Sequence, residues 1–251
     1  MTRIILSGCN GKMGRVISDI VSKRSDSEIV CGIDINTDSS FNYPVFKSPL
    51  ECDIDADVII DFSNPAILSD LLKFSVNKKL PVVLATTGFS EEQVNSLKSA
   101  SKIIPVFYSR NMSLGINVLI ETAKKAAAVL EGFDIEIVEK HHNQKIDAPS
   151  GTALMIADAV SDIIPGTANY MYDRHSQRKK RGENEIGIHA IRGGTIVGEH
   201  DIIFAGRDEI VTISHSALSK DVFAVGSVNA ALFISKKQNG LYDMSDLLAS
   251  K

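Results

Sequence analysis

Residues Arg3 to Gly14 read R-I-I-L-S-G-C-N-G-K-M-G. Arg3 to Ser7 is a short apolar run with the composition of a strand, and it ends at Gly8. Gly8, Gly11 and Gly14 follow at three-residue spacing, and a helical pattern then runs through Lys23. Glycines let backbone come close to a pyrophosphate, and a helix N-terminus offers unpaired N–H groups and the positive end of its dipole. The spacing G-x-x-G-x-x-G departs from the commoner G-x-G-x-x-G, so the glycines alone fit a tight turn equally well. The strand–turn–helix order over residues 3 to 24 is what favours a nucleotide cradle.

Working outward, Glu28 to Ile33 reads as a second strand with Asp34 at its end, twenty residues after Gly14. That is the spacing of an acid that accepts from an adenosine ribose hydroxyl. Ile35 and Asn36 follow, with no arginine to meet a 2′-phosphate, so the reading leans to NADH over NADPH. Asp57 to Asp61, Pro81 to Ala85 and Ile103 to Phe107 are three further apolar strands. Helix starts stand between them, at Ser63-Asn64-Pro65 and Ser90-Glu91-Glu92. Wholly apolar strands alternating with helices imply a parallel sheet covered on both faces. Ligands of such sheets lie beyond the carboxyl ends of the strands. The glycine turn, Asp34, Thr86-Thr87-Gly88 and Ser109 to Ser113 all fall at that end.

Composition sets limits. The 251 residues suffice for one large domain or two small ones. The hydrophobic share of 44% and charged share of 23% are those of an ordinary globular protein, and a net charge of -4 argues against a general nucleic-acid binder. Cys9, Cys31 and Cys52 form no C-x-x-C pair, and an odd count is no disulfide framework, which points to a reducing, cytoplasmic setting. The N-terminus turns glycine-rich too soon for a signal peptide, and no apolar run is long enough to span a bilayer, so no membrane role is expected.

In the second half, Leu114 to Glu131 is a long helical pattern and Phe133 to Val138 a strand. Between that strand and a helical pattern from Ala153 to Ile164 lies E-K-H-H-N-Q-K-I-D-A-P-S-G-T-A, residues 139 to 153. Polar chemistry crowded between two regular elements is what a site on a loop looks like. His141 and Lys145, four apart, would share a side if the segment coiled helically. Histidine exchanges protons near neutral pH, and lysine gives one or neutralises an anion. Taken singly, Ser150 or Thr152 is best read as a helix cap and each histidine as surface; the cluster together favours a site. Arg174 to Arg181 reads as a solvated basic loop. Glu185 to Arg192, Thr195 to Phe204 and Glu209 to Ser214 read as antiparallel strands of a separate open sheet, a kind that often meets a partner subunit. Asp221 to Ser235 is a last helix, and its apolar tail Gly240 to Met244 is expected to return to the first domain.

The segment 139 to 153 closely resembles the signature of the 4-hydroxy-tetrahydrodipicolinate reductase (dihydrodipicolinate reductase) family of lysine and diaminopimelate synthesis. Further matches run the length of the chain: G-C-N-G-K-M-G, D-F-S, T-T-G-F, R-N-M-S-L-G-I-N, I-R-G-G-T-I-V-G-E-H-D and G-L-Y-D-M. The resemblance implies an α/β fold: a Rossmann-like parallel-sheet nucleotide domain plus a second α+β domain with an open mixed sheet, assembled as a homotetramer. It implies hydride transfer from NADH or NADPH to a cyclic imine-type dicarboxylate. By that resemblance His141 is the proton donor and acceptor and Lys145 the proton donor, while His142, Gly151 and Thr152 contact substrate. Gly8, Cys9, Asn10, Gly11, Lys12, Met13, Asp34, Ala85, Thr86, Thr87, Ser109, Arg110, Asn111 and Met112 contact the dinucleotide. Two positions depart from the family's commoner pattern. Ala85 stands where a glycine is usual before T-T-G, and Arg110 where a small residue or proline is usual before Asn111.

The expected division is residues 1-113 with 224-251 for the dinucleotide and 114-223 for substrate and oligomerisation. No metal is expected, because the clustered histidines lack cysteine or acidic partners at ligand spacing. The rival readings are another two-domain NAD(P) dehydrogenase and an NAD(H)-sensing module without turnover. A sensor has no need of the His141 and Lys145 proton donors.

Overall fold

The structure, a computed structural model, describes residues 1–38 and 40–250. The chain forms two compact units, Met1–Leu114 with Asp221–Lys251 and Gly115–Lys220. In chain order the first unit contains β1 (Thr2–Ser7), α1 (Lys12–Ser22), β2 (Ser27–Ile33), β3 (Val45–Phe46), β4 (Val58–Asp61), α2 (Leu68–Lys78), β5 (Val82–Leu84), α3 (Glu91–Ala100) and β6 (Pro105–Tyr108). Then come α4 (Leu114–Val129), β7 (Asp134–His141), α5 (Gly151–Ser161), β8 (Asn169–Met171), β9 (Glu185–Arg192), β10 (Gly198–Ala205) and β11 (Ile210–Ala217). The chain re-enters the first unit with α6 (Asp221–Ile234), β12 (Gly240–Tyr242) and α7 (Met244–Ala249).

The first unit is a seven-stranded parallel sheet in the order β12-β6-β5-β4-β1-β2-β3. Its strands are apolar at nearly every position because both faces are covered. Ile4, Leu6, Ile60, Val83 and Phe107 pack against α1, α6 and α7. Ile5, Ile59, Leu84 and Val106 pack against α2 and α3. Strand order reverses at β1, which lies between β2 and β4, and this crossover is where a doubly wound sheet opens a crevice for a ligand. Asn64 caps a 3-10 turn ahead of α2, its side chain accepting from the Ala66 N–H, and Ser90 caps α3 in a reciprocal box with Gln93.

The second unit has a five-stranded sheet, β11-β10-β7-β9-β8, with α4 and α5 on one face. The open mixed sheet expected here is what forms, with β9, β10 and β11 alternating in direction. β10 runs antiparallel to both β7 and β11, but β9 is parallel to β7 and to β8, so the sheet is mixed. Residue alternation is the same in both kinds of ladder, and only the long connection from β7 through α5 distinguishes them. The basic segment is a solvated loop as expected, exposed from Arg174 to Lys180, and its two ends are anchored. Arg174 pairs with Glu136 and Glu185. Arg181 pairs with Asp134 and Glu136, and donates to the Ile135 carbonyl. No helix is long and apolar enough to cross a membrane among the described residues.

Candidate active site

Two clusters of functional side chains form, one in each unit. In the first, Gly8 takes a φ of +79°, open to glycine at little cost, and a Cβ there would lie 2.4 Å from the Phe62 carbonyl oxygen at the end of β4. A Cβ on Gly14 would lie 2.2 Å from the Gly8 carbonyl. The turn is therefore a cradle of bare backbone, and α1 begins from Gly11 with no side-chain cap on its first turn. Asp34 accepts from the Asn10 N–H at 3.0 Å and the Asn36 N–H at 3.0 Å, which binds the strand end to the glycine turn. Arg15 donates to the Asn10 carbonyl and side chain, both at 3.2 Å. Cys9 is buried, and burial first, then the charge of Asp34, pushes its thiol up to about 11. These residues suit a dinucleotide: a backbone cradle for phosphate and a carboxylate for a ribose.

At the ends of β4 and β5 the Thr86 hydroxyl donates to Asp61 at 2.6 Å and accepts from the Ser63 N–H at 2.9 Å. Ser63 donates to the other Asp61 oxygen at 2.5 Å. Asp61, the first residue of the D-F-S match and one to which no role was assigned, is thus a buried organiser of the strand ends, and burial pushes its carboxyl up. Ala85 is buried and its N–H donates to the Asp61 carbonyl. Ser109 donates to the Asn111 carbonyl at 2.9 Å, and the Asn111 side chain accepts from the Ser113 N–H at 2.8 Å. Arg110 is exposed, Met112 buried.

In the second unit, β7 carries Ile135, Ile137, Glu139 and His141 on one face, because side chains of a strand alternate. The first two join the core beneath α4 and α5. The row then turns from apolar to chemical without changing face. His141 Nδ1 donates to Glu139 Oε2 at 2.6 Å, and its imidazole is 12% exposed. His142 and the three residues after it form a turn, with the Lys145 N–H donating to the His142 carbonyl at 3.1 Å. The helical spacing considered for His141 and Lys145 is thereby replaced by a strand end and a turn. Lys145 Nζ meets Asp147 Oδ1 at 2.7 Å, and that ammonium holds the Asp147 carboxyl below its usual range. Ser150 caps α5 by accepting from the Ala153 N–H at 3.1 Å, so Gly151 and Thr152 lie in the first helical turn.

Two residues far along the chain complete this cluster. Register sets His141 opposite Arg192 on β9 and Glu139 opposite His200 on β10. Arg192 grips both Glu139 oxygens at 2.7 Å and donates to the Asp147 carbonyl at 2.7 Å. Burial works to raise the Glu139 carboxyl, but Arg192, His141 and the Ser150 N–H outweigh it and hold it low. His200 shares a hydrogen bond with the Ser150 hydroxyl at 3.1 Å, and its ring stands edge-on to His141 at 5.3 Å. The signal for all three was available: Glu139 continues the period-two row of β7, Arg192 precedes Gly193-Gly194, and His200 alternates with Ile202 and Phe204.

Family models described as Dihydrodipicolinate reductase, N-terminus and C-terminus match residues 2–112 and 115–248. The chain is 54% identical over 248 residues to the 4-hydroxy-tetrahydrodipicolinate reductase of Caldanaerobacter subterraneus subsp. tengcongensis, covering 99% of this chain and 98% of the relative. Identity to that of Clostridium novyi is 52% over 252 residues, covering 100% of each. Among solved structures, dipicolinate-bound dihydrodipicolinate reductase from Paenisporosarcina sp. TG-14 aligns with a TM-score of 0.81 at 26% identity, covering 97% of each chain. Both halves matched by their own models, and relatives above half identity across the full length, make this chain a member of the dihydrodipicolinate reductase family.

Proposed function

We propose that this chain catalyses the NAD(P)H-dependent reduction of 4-hydroxy-tetrahydrodipicolinate to tetrahydrodipicolinate in lysine and diaminopimelate biosynthesis, with His141 and Lys145 handling the proton. The observation that carries the residue roles is the single polar cluster that segment 139 to 153 builds from a strand end, a turn and a helix start. The substrate's hydroxyl is absent from the product and leaves as water, so one proton is taken up with each hydride. A reduced nicotinamide, when bound, supplies that hydride. A ring conjugated to an imine gains negative charge on accepting it. An ammonium and an imidazole beside the ring stabilise that charge and deliver the quenching proton. The substrate is a dicarboxylate. The first turn of α5 at Gly151 and Thr152, with His142 and Lys145, offers N–H groups and cations to its carboxylates.

The residues named for the dinucleotide, from Gly8 to Met13 and from Asp34 through Ala85 to Thr87 and Ser109 to Met112, act as its binding set. NADH is the preferred form, because the Asp34 carboxylate repels a 2′-phosphate and accepts from a 2′-hydroxyl. The protein works in the cytoplasm as a homotetramer. Residues 1-113 with 224-251 serve as the dinucleotide domain and 114-223 as the substrate and assembly domain.

The test mixes purified protein with freshly generated product of the preceding synthase and follows absorbance of reduced cofactor, for NADH and NADPH side by side. Turnover with both, a lower KM for NADH and inhibition by pyridine-2,6-dicarboxylate are expected. Cofactor binding without oxidation would leave a sensor in place of the reductase. A lower KM for NADPH would mean that Arg15, which donates to Asn10 as Asn10 does to Asp34, governs the choice.

A further inference from the structure

Glu139 is 0% exposed, yet it is a carboxylate at the end of an apolar row. Its Oε1 accepts from Arg192 Nη2 at 2.7 Å and from the Ser150 N–H at 3.0 Å. Its Oε2 accepts from Arg192 Nη1 at 2.7 Å and from His141 Nδ1 at 2.6 Å. Each oxygen is used twice. Fold stability alone is a poor reason for this arrangement. Replacing a buried ion pair by apolar side chains of similar volume is often neutral or stabilising, and Ile135 and Ile137 already supply that pattern on the same face. The arrangement does something that an apolar pair could not. A carboxylate only accepts, so the imidazole must carry its proton on Nδ1. His200 closes in from β10, edge-on at 5.3 Å, and limits rotation of the ring.

Arg192 reaches further. The nitrogen that holds Glu139 Oε1 also donates to the Asp147 carbonyl, and Asp147 is the partner of Lys145. One guanidinium is thus joined to His141 through Glu139, and to Lys145 through Asp147. We propose that Glu139 and Arg192 are the positioning pair of this site: Glu139 fixes the ring and tautomer of His141 so that Nε2 is the nitrogen that exchanges a proton, and Arg192 holds that carboxylate and the Lys145–Asp147 turn in one register. This rests on the reading of His141 as the proton-handling residue. A lysine could not replace Arg192, because a single ammonium cannot span both carboxylate oxygens in the planar fork.

The experiment compares E139Q, R192K, H141Q and the double variant E139Q/H141Q by NADH oxidation, with 15N NMR of labelled histidine on the wild type and E139Q. The side-chain amide that E139Q introduces both donates and accepts, so it keeps the shape and removes the tautomer constraint. E139Q is expected to lose about 10–100-fold in kcat, by analogy with partners that orient a metal-ligating histidine through its second nitrogen, with the NADH KM unchanged. The His141 signals should change from the Nδ1-protonated pattern. In the H141Q background E139Q should cost nothing more, since a residue acting through another has no separate effect. R192K should lower kcat in the same way, and it carries the test should E139Q not fold. Wild-type kcat in E139Q or R192K, beside a crippled H141Q, would overturn the positioning pair alone. An equal further loss in the double variant would do the same, by showing Glu139 to be merely structural. Full activity in H141Q would remove the reading of His141 itself, and the pair with it.

Discussion

His200 shows how a single buried side chain links this site to pH. Burial, then the charge on His141, depresses its imidazole to about 4 from an ordinary 6.5. His215 on β11 adds to that depression, while Glu139 and Asp201 oppose it. The unfolded chain therefore binds a proton here more readily than the folded one. Stability is complete above pH 6.5 and is lost as pH falls through the window from 6.5 towards 4. At 1.36 kcal/mol for each unit of pKa difference, about 2 kcal/mol should vanish between about pH 7 and pH 5 from this group. His200→Gln keeps a polar partner for the Ser150 hydroxyl and does not titrate. Urea unfolding at the two pH values is expected to show a clearly smaller loss for that variant than for the wild type. Equal losses would mean that protonation of His200 does not govern the acid side of the stability curve.

At the level of elements, α6 shows close approach overriding helix propensity. Its sequence is D-V-F-A-V-G-S-V-N-A-A-L-F-I, and Ala224, Gly226, Ser227, Ala230 and Ala231 are buried. A Cβ on Gly226 would stand 1.7 Å from the Met112 carbonyl oxygen, a backbone atom that cannot swing aside. Gly226→Ala should gain about 1 kcal/mol of propensity. The overlap should cost more, because forced overpacking runs to about 1–3 kcal/mol and moves backbone. A lower urea midpoint and a raised NADH KM are expected, the second because Met112 belongs to the proposed cofactor set. A stabilised variant would show that α6 can retreat freely. Small residues in a helix are visible in a sequence, but the carbonyl they make room for is not. The same limit explains what else was legible. The glycine turn, the doubly covered strands and the caps Asn64 and Ser90 are local signals, and each element stands where they imply. β3, β8 and β12 have two or three residues each, too few for any period to register. The partner of β9 and the grip of Arg192 on Glu139, 53 positions away, depend on pairing across the sheet, which no local pattern encodes.

For the molecule as a whole, the outer face of the five-stranded sheet is the surface on which the proposed assembly is to be tested. α4 and α5 cover one face. The other presents Val138, Ile191, Ile203 and Ile210 around the Lys140 ion pairs with Glu199 and Asp201. Ile191 is 46% exposed and Ile210 68%, large apolar surface for residues near and at the ends of strands. Apolar side chains around charges that already pair with one another form a face that can be covered by a partner without leaving a lone charge buried. The face belongs to one continuous sheet, so a second copy related by a two-fold axis can meet it with the same residues. The proposed homotetramer is expected to use it, and light scattering at micromolar concentration should return about four chain masses. Ile203→Glu sets a charge at the centre of the face, opposite Glu136 in the register and away from the helices. The variant should keep its fold and scatter as a smaller species. Four chain masses in the variant, or one in the wild type, would place the assembly surface elsewhere or abolish it.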